Sequence, residues 1–107
     1  MKTISYQDGI LKRLKNKKYA FGLIKHAFEE SCQDGNWKAF GLILENIIEA
    51  QGNKKEFAQK AKVSRQHLYR LFGKKANPTL STLLPVLSEL GFKLTIAQSI
   101  GRQKKVA

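Results

Sequence analysis

Apolar residues recur along this chain at helical spacing, interrupted by glycines and short polar turns. Ala20, Leu23, Ile24, Ala27 and Phe28 fall at i, i+3, i+4, i+7 and i+8, which predicts a helix from Tyr19 to about Ser31. Asn16 stands where its N-cap belongs, and Ile10, Leu11 and Leu14 suggest a short helical turn before it. The tetrapeptide QDGN at 33–36 is a turn signal. Trp37, Phe40, Leu44, Ile47 and Ile48 then form the buried stripe of a second helix, Trp37 to Gln51, with Asn36 as cap and Gly52 as stop. Two short helical segments follow, about 54–61 and 64–72, separated by Lys62 and Val63. Ser64 is placed to cap the second and Gly73 to end it. After the loop KKANP, Thr79 or Ser81 caps a helix running to Leu90, with Leu80, Leu83, Leu84, Leu87 and Leu90 as its core face. Pro85 inside it predicts a kink, or a helix start late enough to put the proline near the first turn.

Beyond Gly91 the period changes. In FKLTIA, Phe92, Leu94 and Ile96 alternate with Lys93, Thr95 and Ala97, which is strand spacing. A strand without a partner leaves its backbone groups unpaired. The expectation is pairing with the same strand of a second copy through Phe92, Leu94 and Ile96, giving a twofold homodimer. The alternative is that the segment lies against its own helices. The expected organisation is all-α: an N-terminal helical extension (1–35), a helical domain that holds the two short helices and a C-terminal strand (36–97), and a basic tail (98–107).

Composition sharpens this picture. The chain has 107 residues, 42% of them hydrophobic, enough for one compact domain. Its formal net charge is +12, of which +3 lies in residues 1–35 and +9 in residues 36–107. A field of that sign favours polyanions. One cysteine, Cys32, excludes an internal disulfide, and two histidines without a carboxylate–histidine cluster argue against a structural metal. No apolar run approaches the roughly 20 residues of a membrane span, and the N-terminus lacks the apolar segment of a signal peptide. The expectation is a cytoplasmic protein without a cofactor. No nucleophile–base set or phosphate loop is visible, so an enzyme is not expected.

Between Lys54 and Lys75 the chain gathers eight lysines and arginines against one glutamate. Phe57, Ala58, Ala61, Val63, Leu68 and Leu71 fall where two short helices crossing steeply must bury side chains. The remaining positions of the second helix would face outward. Arg can bond guanine O6 and N7, and Gln can bond adenine N6 and N7, so Arg65 and Gln66 are assigned to base reading. Tyr69 and Arg70, one turn on, could contact bases or phosphates and are grouped with the base readers. Lys54, Lys55, Lys62, Lys74 and Lys75, with Ser64 and Asn77, are assigned to phosphates, which position the protein without specifying sequence. His67 is expected at the apolar margin, as packing or a cap, and His26 is read the same way. Lys62 occupies a turn position that calls for a left-handed backbone, where glycine is usual, at a cost of about 1 kcal/mol.

The segments LKNKKYAFGLIKHAFEES, NWKAFGLILENIIEAQGN and, above all, VSRQHLYRLF and NPTLSTLLPVLSELGFKL resemble the addiction-module antidote proteins, the HigA-like antitoxins. The resemblance spans about residues 10–97. It implies a lambda-repressor-like bundle of the Xre/Cro type, a dimer on a palindromic operator in double-stranded DNA, autorepression, and a partner toxin, commonly an mRNA-cleaving ribonuclease. Lys62 and Pro85 depart from the family pattern. Such toxins tend to be basic, so the acidic cluster Glu29, Glu30 and Asp34 is the expected toxin contact. Residues 10–35 could instead be extra core. The alternatives are a stand-alone phage-type repressor and a basic RNA- or ribosome-associated protein.

Overall fold

The computed structural model describes residues 9, 12–73 and 75–98. Residues 12–14 are helical, and after them five helices with fully described bounds follow one another: α1 Lys17–Asp34, α2 Lys38–Gln51, α3 Lys54–Ala61, α4 Arg65–Tyr69 and α5 Leu80–Glu89. The fold is all-helical, and no strand occurs among the described residues. Ile10, Leu11, Lys74 and residues 99–107 of the expected tail lie outside the described residues.

Local chemistry sets the helix ends. The Asn16 side chain accepts from the Lys18 and Tyr19 N–H groups at 3.0 and 3.1 Å, so α1 starts at Lys17, ahead of Tyr19. At its other end Gly35 adopts φ 72°, and its N–H returns to the Ser31 carbonyl. Asn36 accepts from the Lys38 N–H at 3.0 Å and so supports the start of α2.

α1 packs on α2, α3 meets α2, α4 and α5, and α4 meets α5. One continuous core results, with Leu14, Ile24, Phe40, Leu44, Ile47, Ile48, Leu68, Leu71 and Val86 among its members. Phe28, Trp37 and Phe40 meet edge to face at 5.5–5.6 Å and join α1 to the start of α2. Ala20, Ile24 and Ala27 are buried, so α1 is part of the core.

α5 turns a different face inward than its leucine spacing predicts. Thr82, Leu83, Val86, Leu87 and Leu90 are buried, whereas Leu80 and Leu84 are 64% and 44% exposed. The true stripe keeps Leu83, Leu87 and Leu90 but widens toward Thr82 and Val86 instead of toward Leu80 and Leu84. Pro85 sits inside α5, beyond its first turn, and the Ser81 carbonyl that loses its donor belongs to an exposed residue.

The segment after Gly91 also departs from expectation. Phe92 and Leu94 pack against the chain's own core, while Ile96 is 96% exposed. The Phe92 N–H bonds to the Leu87 carbonyl at 2.8 Å, and the Phe92 ring meets Phe21 at 5.7 Å. A ladder needs a second extended segment, and none stands beside this one among the described residues.

Candidate nucleic-acid interface

The basic stretch forms two short helices joined by residues 62–64. Asn53 opens α3 by accepting from the Glu56 N–H at 2.7 Å. Phe57, Ala58 and Ala61 are its buried face. Lys62 then takes φ 62° and ψ 40°, the left-handed conformation that its position calls for. Its N–H bonds to Gln59 O at 3.2 Å, and the Val63 N–H reaches back to Ala58 O at 3.1 Å. This pair of bonds closes α3 as a Schellman end and turns the chain sharply, with Val63 half-buried over the turn.

Ser64 caps α4. Its Oγ accepts from the His67 N–H at 3.0 Å and stands 2.8 Å from His67 Nδ1. His67 is exposed, in contrast to the apolar margin expected for it, and works as part of this cap. His26 is exposed as well, 3.3 Å from Glu30. Leu68 is the buried anchor of α4 and Leu71 follows it into the core. The helix is shorter than its expected 64–72 span. After Tyr69 the Leu71 and Phe72 N–H groups bond three residues back, at 3.0 and 3.1 Å, so the last turn tightens.

With Leu68 pointing inward, Arg65, Gln66, Tyr69 and Arg70 all emerge on the exposed side of α4 and line one open concavity of about 370 Å³. The four expected base readers therefore share a surface. Lys55, Lys62, Lys75, Ser64 and Asn77 are exposed too. The Asn77 N–H bonds to the Arg70 carbonyl at 3.2 Å, which ties the following loop to the end of α4. Ser64 spends its hydroxyl on the cap.

Lys54 behaves differently from the other lysines. Its side chain is 21% exposed, and its ammonium lies within hydrogen-bond distance of Glu45 and 3.2 Å from Glu49. It also stands 5.4 Å from the Tyr69 ring centroid and 5.7 Å from that of Phe72. Partial burial pulls its pKa down, but the hydrogen bonds and charges of the two glutamates outweigh this and raise it above the ordinary value. Among the described lysines of the expected phosphate set, Lys54 is thus the member whose charge is already taken. Glu45 and Glu49 went unnoticed in the sequence, although their i, i+4 spacing on α2 could have drawn attention to them as a bidentate acceptor.

Gly41 was also missed. A Cβ there would stand 2.5 Å from the Leu71 carbonyl oxygen and 3.4 Å from Phe72 Cα. α2 therefore approaches the backbone after α4 as closely as a glycine allows, and this contact sets the height of α4 above the core.

The acidic cluster is exposed near the end of α1, and each member has a local partner. Glu29 is 3.7 Å from Lys25, Glu30 is paired with His26, and Asp34 accepts from the Asn36 N–H at 2.8 Å. Glu29 also lines an apolar groove of about 340 Å³ together with Phe21, Phe28, Phe40, Leu87, Phe92 and Leu94. Among the described residues no group of acidic, histidine or cysteine side chains could hold a metal, and no helix is long and apolar enough to cross a membrane.

No protein-family profile, curated protein or solved structure matches the chain.

Proposed function

We propose that the chain is a sequence-specific DNA-binding repressor of the helix-turn-helix type, with α4 as the helix that enters the major groove. The observation that carries this reading is the shared exposure of Arg65, Gln66, Tyr69 and Arg70 over a buried Leu68. An Arg–Gln pair at the start of a capped helix presents the donors and acceptor that guanine and adenine edges require. Lys55, Lys62 and Lys75 stand on the same stretch of chain as phosphate contacts. A net charge of +12 supplies the long-range attraction. A palindromic operator and a homodimer go with this reading: Ile96, exposed beyond the packed Phe92 and Leu94, offers an apolar contact to a second copy.

The toxin-neutralising half of the proposal rests on the resemblance to HigA-like antitoxins. The groove beside Glu29 supports it through its apolar walls, which could seat an apolar segment of a partner; Lys25 and Lys93 line it as well, so its charge does not single out a basic protein. The stand-alone phage-type repressor and the basic RNA-associated protein differ from this reading in measurable ways.

The test is selection of duplexes from a random pool, followed by affinity measurements over a range of salt. An enriched palindrome, bound with a steep negative salt slope, is expected. Equal affinity for all duplexes, or preference for RNA, would contradict the repressor reading. Capture by this chain of the protein encoded next to its gene, lost on Glu29→Lys, is expected for the antitoxin half; no capture would leave a stand-alone repressor.

A further inference from the structure

Tyr69 projects from the middle of the proposed reading face, 46% exposed, with the shallow concavity of Arg65, Gln66 and Arg70 on one side. On its other side a second concavity is lined by Glu49, Asn53, Lys54 and Lys55. A tyrosine on an exposed helix would ordinarily be free to change rotamer. This one is held. Phe72 lies 6.0 Å from it, centroid to centroid, and the Lys54 ammonium stands 5.4 Å from its ring. Lys54 is itself fixed by Glu45 and Glu49 from α2. The chain of contacts runs from the core helix α2, through two carboxylates and one ammonium, to a ring on the reading face.

We propose that Lys54 is a positioning residue for Tyr69, which it holds as a rigid apolar contact for a thymine 5-methyl group, and that Lys54 takes no phosphate. The inference rests on the DNA reading above. Its chemistry is specific. In the major groove only thymine presents a methyl, and apolar side chains recognise it by contact. The flanking Arg65 and Gln66 read purines by hydrogen bonds, so a fixed ring beside them completes a readout of adjoining base pairs. Lys54 can serve as the clamp because two glutamates already neutralise it. An ammonium needed by a phosphate would have to leave both carboxylates behind, unpaired at the protein surface.

The experiment uses the full chain and the duplex that the wild type enriches. Each thymine is replaced in turn by deoxyuridine, which removes only the methyl. At one position per half-site the wild type is expected to lose about fourfold in affinity, the worth of one buried methyl. Tyr69→Ala and Lys54→Met are expected to lose that sensitivity, and Lys54→Arg to keep it. Lys54→Met should leave the salt slope unchanged, whereas Lys55→Ala lowers it by about one. In the DNA-free protein, the Tyr69 ring proton resonances should move in Lys54→Met and stay in place in Lys54→Arg. A Lys54→Met protein that keeps its thymine sensitivity, or whose salt slope falls by about one, overturns the inference. If no deoxyuridine matters to the wild type while Arg65→Ala still relaxes base choice, the inference falls and the DNA reading stands. If the wild type enriches no duplex, both fall.

Discussion

Two glycines in helix interiors, replaced by the same residue, should move stability in opposite directions. Gly22 lies on the exposed side of α1, and a Cβ there meets nothing within 4 Å. Gly22→Ala therefore gains only the helix-propensity difference, about 1 kcal/mol. Gly41 lies in α2, where the same gain applies, but its new Cβ would stand 2.5 Å from the Leu71 carbonyl oxygen, while ordinary contact starts at 3.4 Å. The obstacle is backbone, so it cannot swing aside as a flexible side chain would. Either α2 or the 71–76 segment must withdraw by roughly 1 Å, and overpacking of that kind costs about 1–3 kcal/mol. The cost exceeds the propensity gain over most of its range, so Gly41→Ala should lie between neutral and about 2 kcal/mol destabilised. The two variants should differ by about 1–3 kcal/mol, or very roughly 4–8 °C in Tm for each kcal/mol. Urea denaturation followed by circular dichroism measures this directly, with the midpoints moving apart at an unchanged slope. Gly41→Ala should also weaken binding to the selected duplex, because the displaced backbone follows directly on α4. If Gly41→Ala stabilises as much as Gly22→Ala, the close approach of α2 to the end of α4 is wrong.

Other expectations concern single groups. Arg65→Ala should weaken binding to the selected duplex by about 1–3 kcal/mol and relax base choice at one position; uniform loss across sequences would make Arg65 a phosphate contact. Lys62→Gly relieves the left-handed strain at φ 62° and should raise stability by up to about 1 kcal/mol, less the entropy that glycine adds to the unfolded chain; a lower urea midpoint would refute this. Leu68→Ala empties a fully buried site and should cost about 2–5 kcal/mol in the urea melt, with DNA binding lost in parallel. Since the Lys54 pKa is raised on folding, the stabilisation from its glutamate pairs is whole below the ordinary value of 10.5 and is lost as pH rises through the raised value. The midpoint difference between wild type and Lys54→Met should accordingly stay constant from neutral pH upward and shrink only in strong alkali.

The sequence reveals most where a backbone rule is local. Asn16 and Ser64 cap the helices they precede, because a side-chain acceptor two or three residues before a free N–H has one good partner. Lys62 takes the left-handed conformation expected of it, since the turn geometry outweighs a strain of about 1 kcal/mol. The burial of Phe57, Ala58, Ala61, Leu68 and Leu71 follows from the crossing of two short helices. Where a residue has a choice of neighbours, the sequence is less informative. The leucines of α5 allow two overlapping stripes, and packing selects the one containing Val86 and Thr82. FKLTIA has strand period, but Phe92 gains more against Phe21 and Leu87 within its own chain than a strand without a partner could offer. Lys54 looks like its basic neighbours until Glu45 and Glu49, which a turn separates from it in sequence, are placed beside it.

The most direct measurement is titration of the isotopically labelled full chain with the duplex it selects, followed through its backbone amide resonances. The largest changes are expected from Ser64 to Leu71, with smaller ones at Lys55, Lys62 and Asn77 and little movement along α1. Changes concentrated on α1, or spread evenly over the surface lysines, would contradict the assignment of α4 as the helix that reads DNA.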